Sequence, residues 1–327
     1  MNVKEALIKT LAENNGGYIS GAALAEQLGV SRNAVWKAVK SLEAEGYAIE
    51  SIASKGYRMS QDNNRLSAGF ISSKLNTRSL GRNIFVLDET GSTNNDAKEK
   101  AAAGAPHGTV VIADRQTMGK GRLGRSFISP SGTGVYISVV IRPEISVENA
   151  GLITAAAAVA AAEAVEKLCR RDVSIKWVND LYINGKKICG ILTEASMGLE
   201  MKSLEYAVIG IGINVRSVKS FFDDELSSIA TSIEDETGVR PDRNELCAEL
   251  LDRLEYWLDS VETRKFLPEY RRREYLTGKL ITANVGGVTV TGSAVGIDNN
   301  ANLMVEMPDG EIRRFNSGEA NLCRVKK

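Results

Sequence analysis

The sequence predicts an α+β multidomain chain, and three observations carry that prediction. A helical pattern with a basic third segment, then paired strand signals, occupies the first 60 residues. Helical and strand patterns alternate from Leu66 to about Arg272, and short β-like pieces separated by tight-turn residues fill the rest. A length of 327 residues suits two or three domains, and the expected boundaries are 1–62, 66–271 and 272–327. Lys plus Arg total 41 and Asp plus Glu total 41, so contact with a polyanion must be local rather than spread over the surface. At 43% hydrophobic and 25% charged residues, the composition excludes wholesale disorder and collagen-like or mucin-like sequence.

Ile8 and Leu11 sit at helical spacing. Ser20 can cap a second helix carrying Leu24 and Leu28, with Gly29 as its stop. Ser31 can cap a third, in which Val35, Ala38, Val39 and Leu42 form one apolar stripe while Arg32, Asn33, Lys37 and Lys40 face away. Two helices joined by a short turn containing glycine make a helix-turn-helix. The segments around Tyr47, Ile49 and Ile52 and around Lys55-Gly56-Tyr57-Arg58 read as the two strands of a wing. Ser31, Arg32, Asn33, Lys37 and Lys40 are therefore candidate DNA-binding residues, with Lys55 or Arg58 reaching phosphates. Trp36 is either a nucleic-acid contact or, more often for a large aromatic beside a wing, partly buried packing. The alternative is a three-helix module with a solvated basic face. The polar run Ser60-Gln61-Asp62-Asn63-Asn64 reads as a linker.

In the central region, strands are expected at Thr109–Ala113, Val135–Ile141, Val173–Trp177, Lys187–Thr193 and Tyr206–Ile211. The Ala-rich run Ala150–Ala162 reads as a packed helix, since about 20 apolar residues are needed to cross a bilayer. The N-terminus carries Lys4, Glu5 and Lys9 and has no continuous apolar stretch, so no signal peptide is expected, nor any membrane contact, and the cytoplasm is the expected location. Cys169, Cys189, Cys247 and Cys323 are widely spaced and His107 is the single histidine, which argues for reduced thiols and against a zinc site. After Arg271-Arg272-Arg273-Glu274, the pieces Leu280–Val285, Val288–Val295 and Leu303–Met307, broken by Gly286-Gly287, Asn299-Asn300 and Asp309-Gly310, fit a small β-barrel.

Four segments can carry chemistry. Gly119-Lys120-Gly121-Arg122-Leu123-Gly124-Arg125 satisfies GxGxxG, but residues 126–132 look like loop, so a dinucleotide fingerprint, which must open a helix, is rejected. Three cations among glycines suit a polyanion such as a triphosphate or acyl phosphate; otherwise this is a mobile basic loop. Lys176-Trp177-Val178-Asn179-Asp180, ending a predicted strand, could place Asp180 on Mg²⁺ together with substrate phosphates, or simply mark a turn before Lys186 and Lys187. Gly91-Ser92-Thr93-Asn94 offers neutral hydroxyl and amide groups for an uncharged polar ligand, although helix capping is the commoner use. In Gly210-Ile211-Gly212-Ile213-Asn214 the glycines either let a strand approach a flat ligand or mark a bulge.

In this order and at this spacing, these motifs resemble the biotin protein ligase family. With the winged helix they resemble its bifunctional form, which also represses the biotin operon. The resemblance covers essentially the whole chain and implies a mixed-sheet ligase domain followed by a small SH3-like β-barrel. It implies activation of biotin by ATP, with Mg²⁺, to biotinyl-5′-AMP, then transfer to a lysine of biotin carboxyl carrier protein. It also implies that biotinyl-5′-AMP acts as corepressor, driving a homodimer onto operator DNA. By position, Ser92, Thr93, Asn94 and Gln116 would bind the biotin head group, with Gly190 and Gly210 lining its pocket. Lys120, Gly121 and Arg122 would close over the ligand, and Lys187 would bind the reacting carboxylate and phosphate. Lys187, Arg122 and Lys120 are thus the implied catalytic residues. Arg122, Arg125, Phe127, Lys176, Asn179, Asp180 and Asn214 would hold the nucleotide, with Phe127 the candidate to stack on adenine and Asp180 the metal ligand. Val178 and Lys120 stand where relatives often carry proline and arginine; Lys120 keeps the charge but not the bidentate fork. A metabolite-sensing repressor without enzymatic activity and a lipoate ligase are the competing expectations.

Overall fold

A computed structural model describes residues 3–14, 16–60, 64–143, 149–197, 204–285 and 288–323. Leu7, Ile8 and Leu11 are buried along helix α1 (Val3–Glu13). Ser20 Oγ accepts the Ala23 amide at the start of α2 (Gly21–Gln27), and Ser31 Oγ accepts the Ala34 amide at the start of α3 (Arg32–Ala44), both at 3.1 Å. Between them Gly29 adopts a φ of +63°, the left-handed conformation that favours glycine. Val35, Ala38, Val39 and Leu42 pack on Leu7, Leu11, Leu24 and Met59. Strands β1 (Ile49–Ile52) and β2 (Gly56–Met59) pair antiparallel as the wing.

Two expectations about this module need correction. Trp36 is 49% exposed, because the apolar stripe of α3 is complete without it, so its ring stands with the exposed Arg32, Asn33, Lys37 and Lys40. Arg58 is not free for phosphate: it donates to Glu50 Oε2 at 3.0 and 2.8 Å and lies over the Tyr18 ring.

Of the expected linker, residues 61–63 lie outside the described residues. Asn64 is held firmly, donating to the Gly132 carbonyl at 3.1 Å and accepting from Arg243 through its side chain and its backbone carbonyl. Arg243 is 2% exposed and is paired with Asp114 at 2.7 Å. Helix α4 (Ala68–Lys74) then packs on α1.

The chain continues through β3 (Ile84–Thr90), α5 (Thr93–Ala102), β4 (Val110–Gln116), β5 (Gly134–Ile141) and α6 (Ala150–Cys169), then β6 (Ser174–Lys176), β7 (Asp180–Ile183), β8 (Lys186–Met197) and β9 (Leu204–Asn214). These strands form one sheet in the order β3-β4-β5-β9-β8-β7-β6, with only the β3–β4 pair parallel. The apolar run at Ile84–Leu87 is thus a strand, and Asp180 opens β7 rather than closing β6. Helices α7 (Asp224–Ile229) and α8 (Ile233–Thr237) lead to α9 (Arg243–Leu258).

Period-two alternation sorts the sheet's faces. Val135, Ile137, Val139, Ile209, Ile211, Ile213, Cys189 and Ile191 join α6 and α9 in the main core, whose interface with α6 is mostly alanine. The opposite face carries Val111, Val140, Glu194 and Val208 under α5, and beyond them Ser138, Gly190, Gly210 and Gly212. One face is filled with hydrocarbon, while the other is left open where those small residues lie. No helix among the described residues is long and apolar enough to cross a membrane.

Helix α10 (Leu267–Arg273) runs through the expected boundary at 271/272, so the charged run Arg271–Arg273 ends a helix. A five-stranded antiparallel sheet follows: β10 (Leu280–Val285), β11 (Val288–Ile297), β12 (Leu303–Glu306), β13 (Ile312–Phe315) and β14 (Glu319–Leu322), in the order β13-β12-β11-β10-β14. The Gly286-Gly287 turn lies outside the described residues. Ile281, Ala294, Leu303 and Ala320 belong to the same continuous core as the central sheet, and buried Trp177 donates to the Ala301 carbonyl at 3.0 Å.

One buried carboxylate anchors the segment before β3. Glu255 accepts the amides of Arg78, Ser79 and Leu80 and the Ser79 hydroxyl at 2.6–3.0 Å. Burial pushes its carboxyl up, but those hydrogen bonds outweigh it and bring the pKa down from 4.5 to about 2. The contribution is therefore full above pH 4.5 and disappears as the pH falls towards about 2. Glu255→Gln is expected to cost about 1–3 kcal/mol in urea unfolding at pH 7, with a smaller gap to the parent at pH 3. An equal gap at both pH values would contradict the assignment.

Candidate active site

A cavity opens on the small-residue face, between α5, the glycine-rich loop, β8, β9 and the turn before β14. Glycine leaves room for two neighbouring side chains. A Cβ at Gly210 would lie 2.0 Å from Asn94 Oδ1, and one at Gly212 would lie 2.6 Å from the Phe127 ring, which also rests near Gly190. The choice between a flat-ligand strand and a bulge resolves differently at these positions: Gly210 pairs with Ser138 and Gly212 with Tyr136 in regular register, and side chains of the protein itself fill the space.

The end of the cavity under α5 is neutral and hydrogen-bonded. Ser92, Thr93 and Asn94 are buried, and Ser92 sits at the helix N-cap without making a side-chain cap bond, so capping does not account for it. Thr93 donates to Gln116 Oε1 through its amide (2.9 Å) and hydroxyl (3.1 Å), while Gln116 Nε2 donates to Ser129 Oγ at 2.9 Å. Ser138 Oγ lies 2.8 Å from Thr93 Oγ1 and 2.6 Å from Asn94 Oδ1. Asn94 Nδ2 donates to Glu194 Oε2 at 2.8 Å. Burial pushes the Glu194 carboxyl up, but hydrogen bonds from Lys98 and Asn94 hold it below the usual range.

The other end is ionic. Arg122 donates to Asn179 Oδ1 and to the Gly318 carbonyl, each at 3.0 Å. Arg125 forms a bidentate pair with Glu319 at 2.9 and 2.6 Å, which holds that carboxyl low. Two cations of the loop are thus tied to the C-terminal sheet domain, whereas Lys120 reaches Asn95 of α5 at 2.7 Å. The loop folds back on itself through Gly121 N to Arg125 O and Phe127 N to Gly119 O. Lys176 donates to Asn321 at 2.7 Å, and burial pulls its ammonium below the usual lysine value despite Asp180 and Glu319 nearby. Lys187 Nζ lies 2.7 Å from Asp180 Oδ1, but the approach is poorly aligned and that oxygen makes no hydrogen bond; Asn214 Oδ1 is also buried without a partner among the described residues. The Trp177–Val178 peptide bond is cis.

Every residue expected to bind ligand or nucleotide lines this one cavity: Ser92, Thr93, Asn94, Gln116, Lys120, Gly121, Arg122, Arg125, Phe127, Lys176, Asn179, Asp180, Lys187, Gly190, Gly210 and Asn214. Asn179 is already committed, accepting from Arg122 and donating to the Ile191 carbonyl at 2.7 Å. The DNA-binding candidates lie apart on α3. Sequence reasoning missed Ser138, Glu194, the wall formed by Phe222, Leu226 and Ile229, and Gly318–Ala320. A lone charge in the stretch Ile188–Ser196 was a signal for Glu194; Ser138, the apolar wall and Gly318–Ala320 carried none.

Residues 86–214 match the Biotin/lipoate A/B protein ligase family, residues 3–58 an HTH domain, and residues 277–322 the Biotin protein ligase C terminal domain. Over 325 residues the chain is 36% identical to the bifunctional ligase/repressor BirA of Bacillus subtilis, and the match covers 98% of each. The chain belongs to the biotin protein ligase family. It is also 31% identical to BirA of Escherichia coli over 98% of this chain and 97% of that one. A biotin protein ligase from Aquifex aeolicus, solved with biotin and ATP, superposes with a TM-score of 0.63 at 28% identity, covering 75% of this chain and all of that one.

In this biotin protein ligase the cleft floor tolerates no added methyl at Gly210. Gly210→Ala is expected to cost about 1–3 kcal/mol in urea unfolding, since Asn94 must leave its bonds to Ser138 and Glu194. Gly151→Ala, which meets nothing within 4 Å in α6, is the control and should be neutral or stabilising. Equal behaviour of the two variants would show that the floor is not tightly packed.

Proposed function

We propose that this protein joins the biotin carboxylate to AMP from ATP, releasing pyrophosphate, and passes the biotinyl group to a lysine amine of biotin carboxyl carrier protein. It also represses genes of biotin synthesis and transport. The observation that carries this reading is a single cavity with a neutral, hydrogen-bonding end and an ionic end, in a chain that begins with a winged helix.

A cyclic urea is uncharged and polar, and the side chains of Ser92, Thr93, Asn94 and Gln116 satisfy it without burying a charge. The biotin carboxylate then lies towards Lys187, Lys120 and Arg122, whose charges offset the negative charge that gathers as the carboxylate oxygen attacks the α-phosphorus and pyrophosphate leaves. Arg125, Lys176, Asn179 and Asn214 bind the nucleotide, with Phe127 beside adenine, and Gly121 lets the loop backbone approach. Asp180 Oδ1 and Asn214 Oδ1 are oxygen donors without hydrogen-bond partners, and one carboxylate plus substrate phosphates is a normal Mg²⁺ environment. Mg²⁺ bound there supplies charge neutralisation on the phosphates.

Biotinyl-5′-AMP is the corepressor in this scheme. By ordering the loop it favours a homodimer formed through a sheet edge; β3 and β6 are the two edges of the seven-stranded sheet, and β6 is already bridged by the segment at Glu274 and Tyr275. Two copies of α3 then meet the half-sites of an operator through Ser31, Arg32, Asn33, Lys37 and Lys40.

Biotin is expected to support ATP–pyrophosphate exchange and lipoate is not; no exchange with either acid would overturn the ligase reading. Arg122→Gly removes both the Asn179 and Gly318 contacts and should shorten adenylate retention by about tenfold or more, read by filter binding. Sedimentation should show a shift towards dimer when biotin and ATP are added, and its absence would remove the repression scheme.

A further inference from the structure

Glu194 lies outside the cavity, behind its neutral end, and the reaction described above does not use it. It is the one charged residue in the stretch Ile188–Ser196. Both of its carboxylate oxygens are engaged by α5: Oε1 accepts from Lys98 Nζ at 2.7 Å and Oε2 from Asn94 Nδ2 at 2.8 Å. An ionised carboxylate has no proton to give, so it can face only the NH₂ end of the Asn94 amide. The second Asn94 proton points to the Leu192 carbonyl at 3.3 Å. Both donors of that amide are therefore spent on the β8 side.

Oδ1 is left on the cavity side, above Gly210 and 2.6 Å from Ser138 Oγ. Ser138 has a single hydroxyl proton and two acceptors within reach, because Thr93 Oγ1 lies 2.8 Å away. At least one lone pair of Asn94 Oδ1 remains for a ligand.

We propose that Glu194 is a positioning residue whose carboxylate locks the Asn94 amide with Oδ1 towards the cavity, which selects a head group presenting an N–H there, as a cyclic urea does. The proposal rests on biotin occupying the neutral end. Without the carboxylate the amide can turn its NH₂ inwards, where it meets the ligand N–H donor to donor. The penalty is felt by the bound state, while the folded protein without ligand loses little.

The test uses the full chain as parent, Glu194→Gln, and the double variant Asn94→Asp/Glu194→Gln. The single variant keeps the shape but lets Asn94 turn. In the double variant the carboxylate now at position 94 can only accept, and the amide now at position 194 can donate to it, with the total charge unchanged. In ATP–pyrophosphate exchange, Glu194→Gln should raise KM for biotin about tenfold while kcat stays within about threefold. Its preference for biotin over the cyclic carbonate analogue, which lacks both N–H groups, should shrink by a similar factor. The double variant should return KM to within about threefold of the parent.

An unchanged KM in the single variant overturns the proposal, as does a double variant no better than the single one at equal thermal midpoint. Calorimetry separates this from failure of the underlying reading. A parent that binds and exchanges biotin alongside an unaffected Glu194→Gln removes only the positioning role, whereas a parent that binds no biotin removes the ligase assignment as well.

Discussion

Where β8 and β9 pass beneath α5 and the glycine-rich loop, positions 190, 210 and 212 carry no side chain, and at 210 and 212 Asn94 and Phe127 occupy the space that Cβ atoms would need. Strand alternation makes this possible without weakening the protein, because the neighbouring residues Ile191, Ile209, Ile211 and Ile213 face the opposite way and fill the main core. The same two strands are thus a packed wall on one side and an open floor on the other. Asn94 is fixed against that floor by Ser138 and Glu194, and the neutral end of the cavity takes its shape from this arrangement.

Charge organises the remainder. The chain is neutral overall, yet Arg122, Arg125, Lys176 and Lys187 converge on one cavity wall, with Asp180 and Glu319 set among them. The two loop arginines reach across to the C-terminal sheet domain, so that domain is part of the wall and not an appendage. A polyanionic substrate entering here competes for cations that already have partners, and binding it rearranges an existing set of pairs.

Much of this was legible in the sequence because local rules govern it. Ser20 and Ser31 cap their helices, the α3 stripe is buried, and glycines and cations cluster in one loop. The sequence pattern did not reveal contacts that depend on tertiary approach. Arg58 is withdrawn by Glu50, and Trp36 is exposed because the core closes without it. Gly318 and Glu319 join a site 194 to 196 residues away in sequence, and no local period records such a contact. Helix α10 runs across 271/272 because a run of arginines signals polarity but not where a helix stops.

The reach of the loop to Gly318 and Glu319 has a bearing on biosynthesis. During translation the winged helix has all its residues long before the turn preceding β14 leaves the ribosome, so a nascent chain carries a complete helix-turn-helix sequence while its cleft still lacks a wall. A premature stop codon that removes β14 would then leave every helix-turn-helix residue in place but take away the Glu319 partner of Arg125, uncoupling the head from the ligand state that the cleft reports.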